Sequence, residues 1–376
     1  MIGAGQLARM SWQAAISLDL EILCLGNDGD AAALAGAPLL EGSAYDSGML
    51  EQLAGACDVL TFEHELVDLN AVAALERSGV TVRPSAETLR LAVDKLHQRR
   101  TLSTLDGVLV PAYAEARTPA DACAFAATHG WPVVLKARSG GYDGRGVWIC
   151  PDADTVAGVF TQVTGRGTEL YVEQAVQIET ELAVLVARSP SGELATHPVV
   201  ETRQTDGMCS WVIAPARISK QTEVAAAALA VRLAQHTKLE GLMAIELFVD
   251  CQQRLLVNEL AVRTHNTGHL HTEASTTSQF EQHLRAVLDL PLGSTKPLSR
   301  ASAMVNVIGP ADGSDPADRL GCGLSVPGAH IHLYGKSARP GRKLGHVTAC
   351  AELPEEALDC AQHAADRLAH HAIDRQ

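Results

Sequence analysis

At 376 residues the chain is too long for one small core, and roughly two or three domains are predicted. With 44 acidic against 30 basic residues the formal charge is −14, which argues against general attraction to nucleic acid or to an anionic membrane surface. No apolar run reaches bilayer length and no secretory signal is visible; the nine cysteines are scattered without a C-x-x-C pair, which fits a reducing cytoplasm better than a disulfide framework.

Over the first 90 or so residues strand and helix signals alternate, and the βαβ punctuation predicts a parallel sheet. Gly3, Ala4 and Gly5 form a glycine turn that opens a helix over residues 6–18. Backbone N–H groups and the helix dipole there can hold one anion. Ala8 stands where a dinucleotide fingerprint wants its third glycine, so a single phosphate site is expected over NAD. Strands are expected at 20–25, 58–62 and 80–82. Only Met1 and Ile2 precede the glycine turn, so the first strand is expected to be shortened, as if the chain began inside it.

Residues 89–105 read as one charged amphipathic helix bridging to the next domain. Strands follow at 131–136 and 147–150. Between them, 139–146 holds four glycines in eight residues. A glycine-rich loop between two strands differs from a P-loop, which leads into a helix. Further strands are expected at 170–173 and 178–187, the second with alternating character and a hairpin marked by Gly192. Residues 221–236 and 276–288 read as helices, and between them 245–249 and 255–257 flank a polar turn as a hairpin. Residues 292–302 read as a linker. Short strands are then expected at 303–308, 330–334 and 346–351, a polar surface loop at 312–320, and a closing helix over 354–372 with proline at its start.

The hairpin carries an acid on each strand, Glu246 and Glu259, inside apolar runs. A carboxylate there is costly unless paired or metal-bound. With the neighbouring Asn258 amide, the two acids make a hard-oxygen site suited to Mg²⁺. Arg263, His265, Asn266 and His269 follow at once. Arg263 can neutralise charge developing on a transferred phosphoryl group, and His265 can act as a base or a hydrogen-bond donor. Lys136 ends a strand beside the glycine loop, where a lysine either reaches phosphates as a point charge or merely snorkels to solvent. The loop from Gly141 to Gly146 adds Tyr142, Asp143 and Arg145 to what covering phosphates requires. Lys336, Arg339, Arg342 and Lys343 form a basic, turn-rich cluster in an acidic protein, a plausible monophosphate cradle.

Five motifs carry a family resemblance: G-A-G-Q-L-A-R-M (3–10), G-G-Y-D-G-R-G (140–146), N-E-L-A-V-R-T-H-N-T-G-H (258–269), T-S-Q-F-E-Q-H-L-R-A (277–286) and Y-G-K-S-A-R-P-G-R-K-L-G-H (334–346). The chain resembles the ATP-grasp enzymes and, within them, the N5-carboxyaminoimidazole ribonucleotide synthetases of purine biosynthesis. The resemblance implies a mixed α/β and α+β architecture. A Rossmann-like, biotin-carboxylase-type domain would span 1–94, with its first strand truncated. An ATP-grasp domain would span 95–295, its small lobe at about 107–173 and its large lobe at about 174–295. A small β-rich C-terminal domain would span 296–376.

The resemblance also implies roles. ATP would be held by Lys95, Lys136, Gly141, Gly144 and Asn258, with Glu173 and Val176 at the adenine and Glu181 at the ribose hydroxyls. Mg²⁺, or Mn²⁺ in its place, would sit on Glu246 and Glu259. Aminoimidazole ribonucleotide would touch Gly5, Gln6, Tyr142, Asp143, Arg145, His265 and Asn266, with Lys336 and Arg342 on its 5′-phosphate. Asp143, Arg145, Arg263 and His265 would be catalytic, Asp143 binding or deprotonating the exocyclic amine. The implied reaction uses bicarbonate and ATP and passes through carboxyphosphate, in a cytoplasmic homodimer whose other partners are small molecules. Val262 and Thr264 stand where the family often has proline, so the loop is expected to lose stiffness. A formate-using glycinamide ribonucleotide transformylase-like ligase and a non-catalytic nucleotide-binding homologue remain as alternatives.

Overall fold

The computed structural model of the chain describes residues 1–141, 144–165 and 167–369. Its N-terminal unit is a parallel arrangement with very little ladder. The first helix, Gln6–Ser17, follows the glycine turn. Cys24–Gly26 pairs in parallel with Leu39–Glu41. The strands expected at 58–62 and 80–82 shrink to isolated bridges, Leu60 to Val82 and Phe62 to Ile2, with Ile2 also bridging Leu25. Ile2 thus holds the central position almost alone. Its N–H donates to the Thr61 carbonyl at 2.7 Å, and the Gly3 N–H to that of Leu25 at 2.9 Å.

The single bridging helix expected over 89–105 is two helices, Ala86–Val93 and Lys95–Leu102, broken at Asp94. Asp94 is extended, with φ −114° and ψ 98°. Its carboxylate accepts from the His97 N–H at 3.0 Å and pairs with Arg138 at 2.6 Å. A capping acid inside a charged run restarts the helix. The restart puts Lys95 at the first helical position.

The small lobe is a four-stranded antiparallel sheet in the order Tyr113–Ala116, Leu170–Gln174, Val133–Ala137, Val147–Cys150. Helices Pro119–His129 and Ala153–Thr164 cover one face and share a core with Val133, Leu135 and Val172. The two-residue period then turns Lys136 and Glu173 to the opposite face, towards the large lobe, where both are buried.

The remaining strands form one nine-stranded sheet. Its order is Leu255–Ala261, Gly241–Asp250, Ile178–Arg188, Val200–Thr205, Met208–Ala214, Ala301–Ile308, Lys343–Ala351, Ala329–Leu333, with Leu194–Thr196 paired beside Ile178–Arg188. The alternation expected along 178–187 gives way to a run buried from Leu182 to Ala187. Leu182, Val184 and Val186 pack with helix Lys220–His236, while Leu185 and Ala187 face the layer of helix Gln279–Val287. Both faces are covered, so neither set can be polar.

The expected linker ends directly in a strand, and the sheet runs on through it. Trp211 pairs with Val305 and Ala214 with Ser302. The C-terminal strands therefore extend the large lobe's own sheet, with helix Pro354–Ala369 packed on them. The expected surface loop at 312–320 contains a 3₁₀ turn, Pro316–Arg319, and buries Arg319, whose Nε donates to the Leu368 carbonyl at 2.8 Å. Among the described residues, no helix is long and apolar enough to cross a membrane.

Candidate active site

Glu246 and Glu259 face each other directly across the hairpin ladder. The register slips immediately beyond them: Glu246 pairs with Glu259, but Leu247 pairs with Val257. Asn258 is the extra residue of a β-bulge, a device that re-aims side chains without ending the pairing. It lets two consecutive residues serve one site. Asn258 Nδ2 donates to Glu246 Oε2 at 3.3 Å, and its Oδ1 accepts from Lys136 Nζ at 3.3 Å.

The two acids are unequal. Lys95 Nζ lies 2.9 Å from Glu259 Oε1. Burial pushes the Glu259 carboxyl up, but Lys95, with Lys136 and His265 behind it, outweighs burial, and the net shift is downward. Glu246 is pushed up to about 7 by burial, by Glu259 opposite and by Glu181, with Lys95 opposing. Its side chain retains 26% exposure and that of Glu259 39%, so both open onto the cleft. Two facing carboxylates with one lysine between them lack positive charge. A divalent cation that prefers oxygen would supply it, so the donor set fits Mg²⁺.

Glu173, 2% exposed, sits in the opposite condition. Arg99 Nε reaches one oxygen at 2.5 Å and Lys136 Nζ the other at 2.7 Å. Burial raises this carboxyl, yet Arg99 and Lys136 hold it at about 2. Arg99 also donates to the Asn258 carbonyl, tying the small lobe to the bulge. Glu173 is thus committed to the protein's own cations. Sequence reading passed over Arg99, although it lies one helical turn after Lys95 and shares its face.

The loop above this cluster brings Gly141 near Lys95: a Cβ on Gly141 would stand 3.8 Å from Lys95 Nζ and 2.7 Å from the Arg145 carbonyl oxygen. Gly144 meets Gly207, in the turn between Val200–Thr205 and Met208–Ala214, so closely that a Cβ on Gly144 would come within 2.8 Å of the Gly207 Cα. Arg145 is exposed. Tyr142 and Asp143 lie outside the described residues. Val176 is half-buried in the crossing between the lobes. Glu181 lies on the strand beside Glu246, its carboxyl raised by burial.

His265 Nε2 lies 3.6 Å from Glu246 Oε1, and its Nδ1 is 2.9 Å from Thr267 Oγ1. Gln279 brackets this residue, accepting from the His265 N–H and donating to the His265 carbonyl, both at 2.8 Å. Val262 and Thr264 are buried. The loop is therefore pinned by packing and by Gln279 where proline stiffness was expected to be missing. Arg263 Nε is 2.8 Å from Glu65 Oε1, an ion pair to the N-terminal unit. Asn266 begins the 3₁₀ turn Asn266–Leu270.

The anion site expected at the first helix is filled by the chain itself. Glu63 accepts from the Gly5 N–H at 2.7 Å and from the Leu7 N–H at 3.2 Å. A Cβ on Gly5 would collide with Glu63 Oε1. The glycine turn thus admits an internal carboxylate from 58 residues away, and the free phosphate site is corrected to an occupied one. Gln6 is half-buried at its mouth.

Lys336 and Arg342 lie in one loop, joining Ala329–Leu333 to Lys343–Ala351. Lys336 Nζ is 5.5 Å from the Tyr334 ring centroid. Arg342 Nη1 donates to Ser337, to the carbonyl at 2.9 Å and to Oγ at 3.1 Å, closing the turn.

A four-stranded lobe and a larger sheet holding a carboxylate hairpin, with a glycine loop across the gap, define an ATP-grasp protein, and the ATP-grasp domain model matches residues 101–280. The flanking segments match the ribonucleotide synthetase preATP-grasp domain at 1–93 and the phosphoribosylaminoimidazole carboxylase C-terminal domain at 302–359. The chain belongs to the N5-carboxyaminoimidazole ribonucleotide synthase family. It is 43% identical to that synthase from Mycobacterium tuberculosis, over 98% of this chain and 87% of the relative. It is 42% identical to the one from Synechococcus elongatus, over 93% and 88%. The synthetase structure from Thermus thermophilus superimposes with a TM-score of 0.87 at 34% identity, covering 99% of this chain and 98% of that one. The Aspergillus clavatus enzyme in complex with ADP and 5-aminoimidazole ribonucleotide gives 0.89 at 33%, covering 98% and 97%.

Proposed function

We propose that this chain is an ATP-dependent ligase that carboxylates the exocyclic amine of 5-aminoimidazole ribonucleotide, giving N5-carboxyaminoimidazole ribonucleotide, ADP and phosphate. The facing pair Glu246 and Glu259, joined by Lys95, Lys136 and Asn258, carries this reading, because it gathers the groups phosphoryl transfer needs at one point. A bicarbonate oxygen attacks the γ-phosphorus and the bond to the β-phosphate oxygen breaks, forming carboxyphosphate and ADP. The amine then attacks the carboxyl carbon, phosphate leaves, and the amine proton passes to a base, for which Asp143 is the candidate.

Lys95 and Lys136 lie against the hairpin, where they orient the phosphates as point charges. Arg263, fixed by Glu65, and His265, beside Glu246, face the reacting groups and stabilise charge that develops on them. Gly141, Gly144 and Arg145 close over the nucleotide and exclude water, which protects a readily hydrolysed intermediate. Val176 and Glu181 take the adenine and ribose, and Gln6, Asn266, Lys336 and Arg342 take the ribonucleotide. Mg²⁺, or Mn²⁺, would be held by Glu246 and Glu259 and, when bound, neutralises charge on the β- and γ-phosphates. We include a cytoplasmic setting, supported by nine free cysteines, and a homodimer, which sedimentation would check.

The test is ADP release with ¹³C-bicarbonate, with and without 5-aminoimidazole ribonucleotide. The expected result is ribonucleotide-dependent turnover with label in the carboxyamino product. Turnover indifferent to the ribonucleotide, or product made from formate and glycinamide ribonucleotide, would overturn the reading.

A further inference from the structure

One buried tyrosine sits where three parts of the chain meet. Tyr334 is 2% exposed, and its ring packs with Leu7 and Met10 of the first helix and with Phe280 of the helix Gln279–Val287. Its hydroxyl lies 2.8 Å from His346 Nδ1 and 3.3 Å from His269 Nε2. A phenolic O–H donates once and accepts as well, so one hydroxyl can serve both rings. The two imidazoles are buried and stacked, with centroids 4.2 Å apart and planes at 14°. His332 stacks on His346 at 4.5 Å and is fixed by Glu273 at 2.7 Å. Burial drives the His269 and His346 values well below the ordinary one, so both rings are neutral near pH 7.

The two ends of this bridge matter. His269 closes the polar run that begins at Arg263 and His265. Tyr334 opens the loop that carries Lys336, whose ammonium stands over the tyrosine ring within cation–π range. Gly335, with φ +71°, turns the chain between them. The apolar packing around Tyr334 needs only the ring, and phenylalanine would supply that. The hydroxyl and its two histidines have no part in the chemistry described above.

We propose that Tyr334, oriented by the His269–His346 pair, is a positioning residue that sets Lys336 for the phosphate of the ribonucleotide. The inference rests on the reading that Lys336 holds that phosphate. It makes the polar run after the metal hairpin and the phosphate loop a single braced unit.

Steady-state kinetics of the full chain tests this with Tyr334→Phe, Lys336→Ala and the double variant. Tyr334→Phe should raise the ribonucleotide KM roughly three- to tenfold, the size of one lost neutral hydrogen bond, and leave the ATP KM unchanged. The double variant should be no worse than Lys336→Ala alone, because coupled residues are not additive. Equal losses on both substrates, or additive effects in the double variant, would overturn the positioning role while sparing the phosphate reading. An unchanged ribonucleotide KM in Lys336→Ala would overturn that reading and the proposal together. Should Tyr334→Phe not fold, His346→Asn and His346→Ala carry the same test. Asparagine keeps a polar group where Nδ1 stood, so it should hold the ribonucleotide KM below that of alanine, and equal values would count against the idea.

Discussion

Glu173 and Glu246 are both strand carboxylates turned into the cleft, and they end in opposite electrostatic states. Glu173 is sealed and gripped by Arg99 and Lys136, which hold it at about 2. Glu246 keeps access to the cleft, faces Glu259, and rises to about 7. Burial pushes both upward, so it cannot be what separates them. The neighbouring charges do: Arg99 and Lys136 grip Glu173, whereas Glu246 faces the carboxylates of Glu259 and Glu181 against the weaker pull of Lys95. A carboxylate saturated by its own protein organises neighbours, whereas an under-compensated one has charge left for a ligand.

The comparison breaks most sharply at Glu173. Glu173→Gln would leave two buried cations without their partner, a loss of about 3–5 kcal/mol. Thermal or urea unfolding would register it, and a variant as stable as wild type would mean that Arg99 and Lys136 do not depend on this acid. The pH dependence follows in sign. A carboxyl depressed from the ordinary 4.5 to about 2 contributes stability above pH 4.5 and loses it as pH falls towards 2. The wild-type advantage over Glu173→Gln should therefore shrink across that window, and a gap constant from pH 6 to pH 2 would contradict the assignment.

Glu259→Gln probes the other acid. Turnover should fall about 10²-fold or more, from lost charge stabilisation in phosphoryl transfer. The Glu246 carboxyl should also drop from about 7 towards its ordinary range, since the repelling charge is gone; ¹³C NMR titration would follow it. Turnover near that of wild type would remove Glu259 from the proposed metal site.

Arg342→Ala should produce the smallest of these effects, roughly a tenfold rise in ribonucleotide KM with the ATP KM unchanged. Its cation is satisfied by Ser337 in a solvated turn, so the contribution should weaken as ionic strength rises. A shift in the ATP KM alone would assign this loop to the nucleotide.

Much of this was legible because it is local. Two apolar runs flanking a polar turn place Glu246 and Glu259 on facing strands, and the glycine density of 139–146 announces a backbone-driven loop. What stayed hidden depends on partners far along the chain. Nothing around Gly5 says that Glu63 will fill the helix start. The bulge that aims Asn258 appears only in the register between two strands. Asp94 reads as one more charge in a polar helix until its cap and its pairing with Arg138 split that helix. The linker composition of 292–302 marks a break before the last strands but does not say that they pair with Met208–Ala214, because the partner strand lies far earlier in the chain.

That last point has a mechanical side. The strands bearing Glu246 and Glu259 and the strand that begins at Lys343, just beyond Arg342, belong to one hydrogen-bonded ladder. Changing the spacing between the hairpin and the loop that carries Lys336 and Arg342 would mean unzipping Trp211 from Val305 and its neighbours. Among the described residues the four-stranded lobe shares no ladder with that sheet; it meets it through Lys136 and Asn258, and through the close backbone approach of Gly144 to Gly207. The large sheet thus fixes the gauge between the hairpin and that loop, while the small lobe is held to it by side chains and loop contacts in place of a shared ladder.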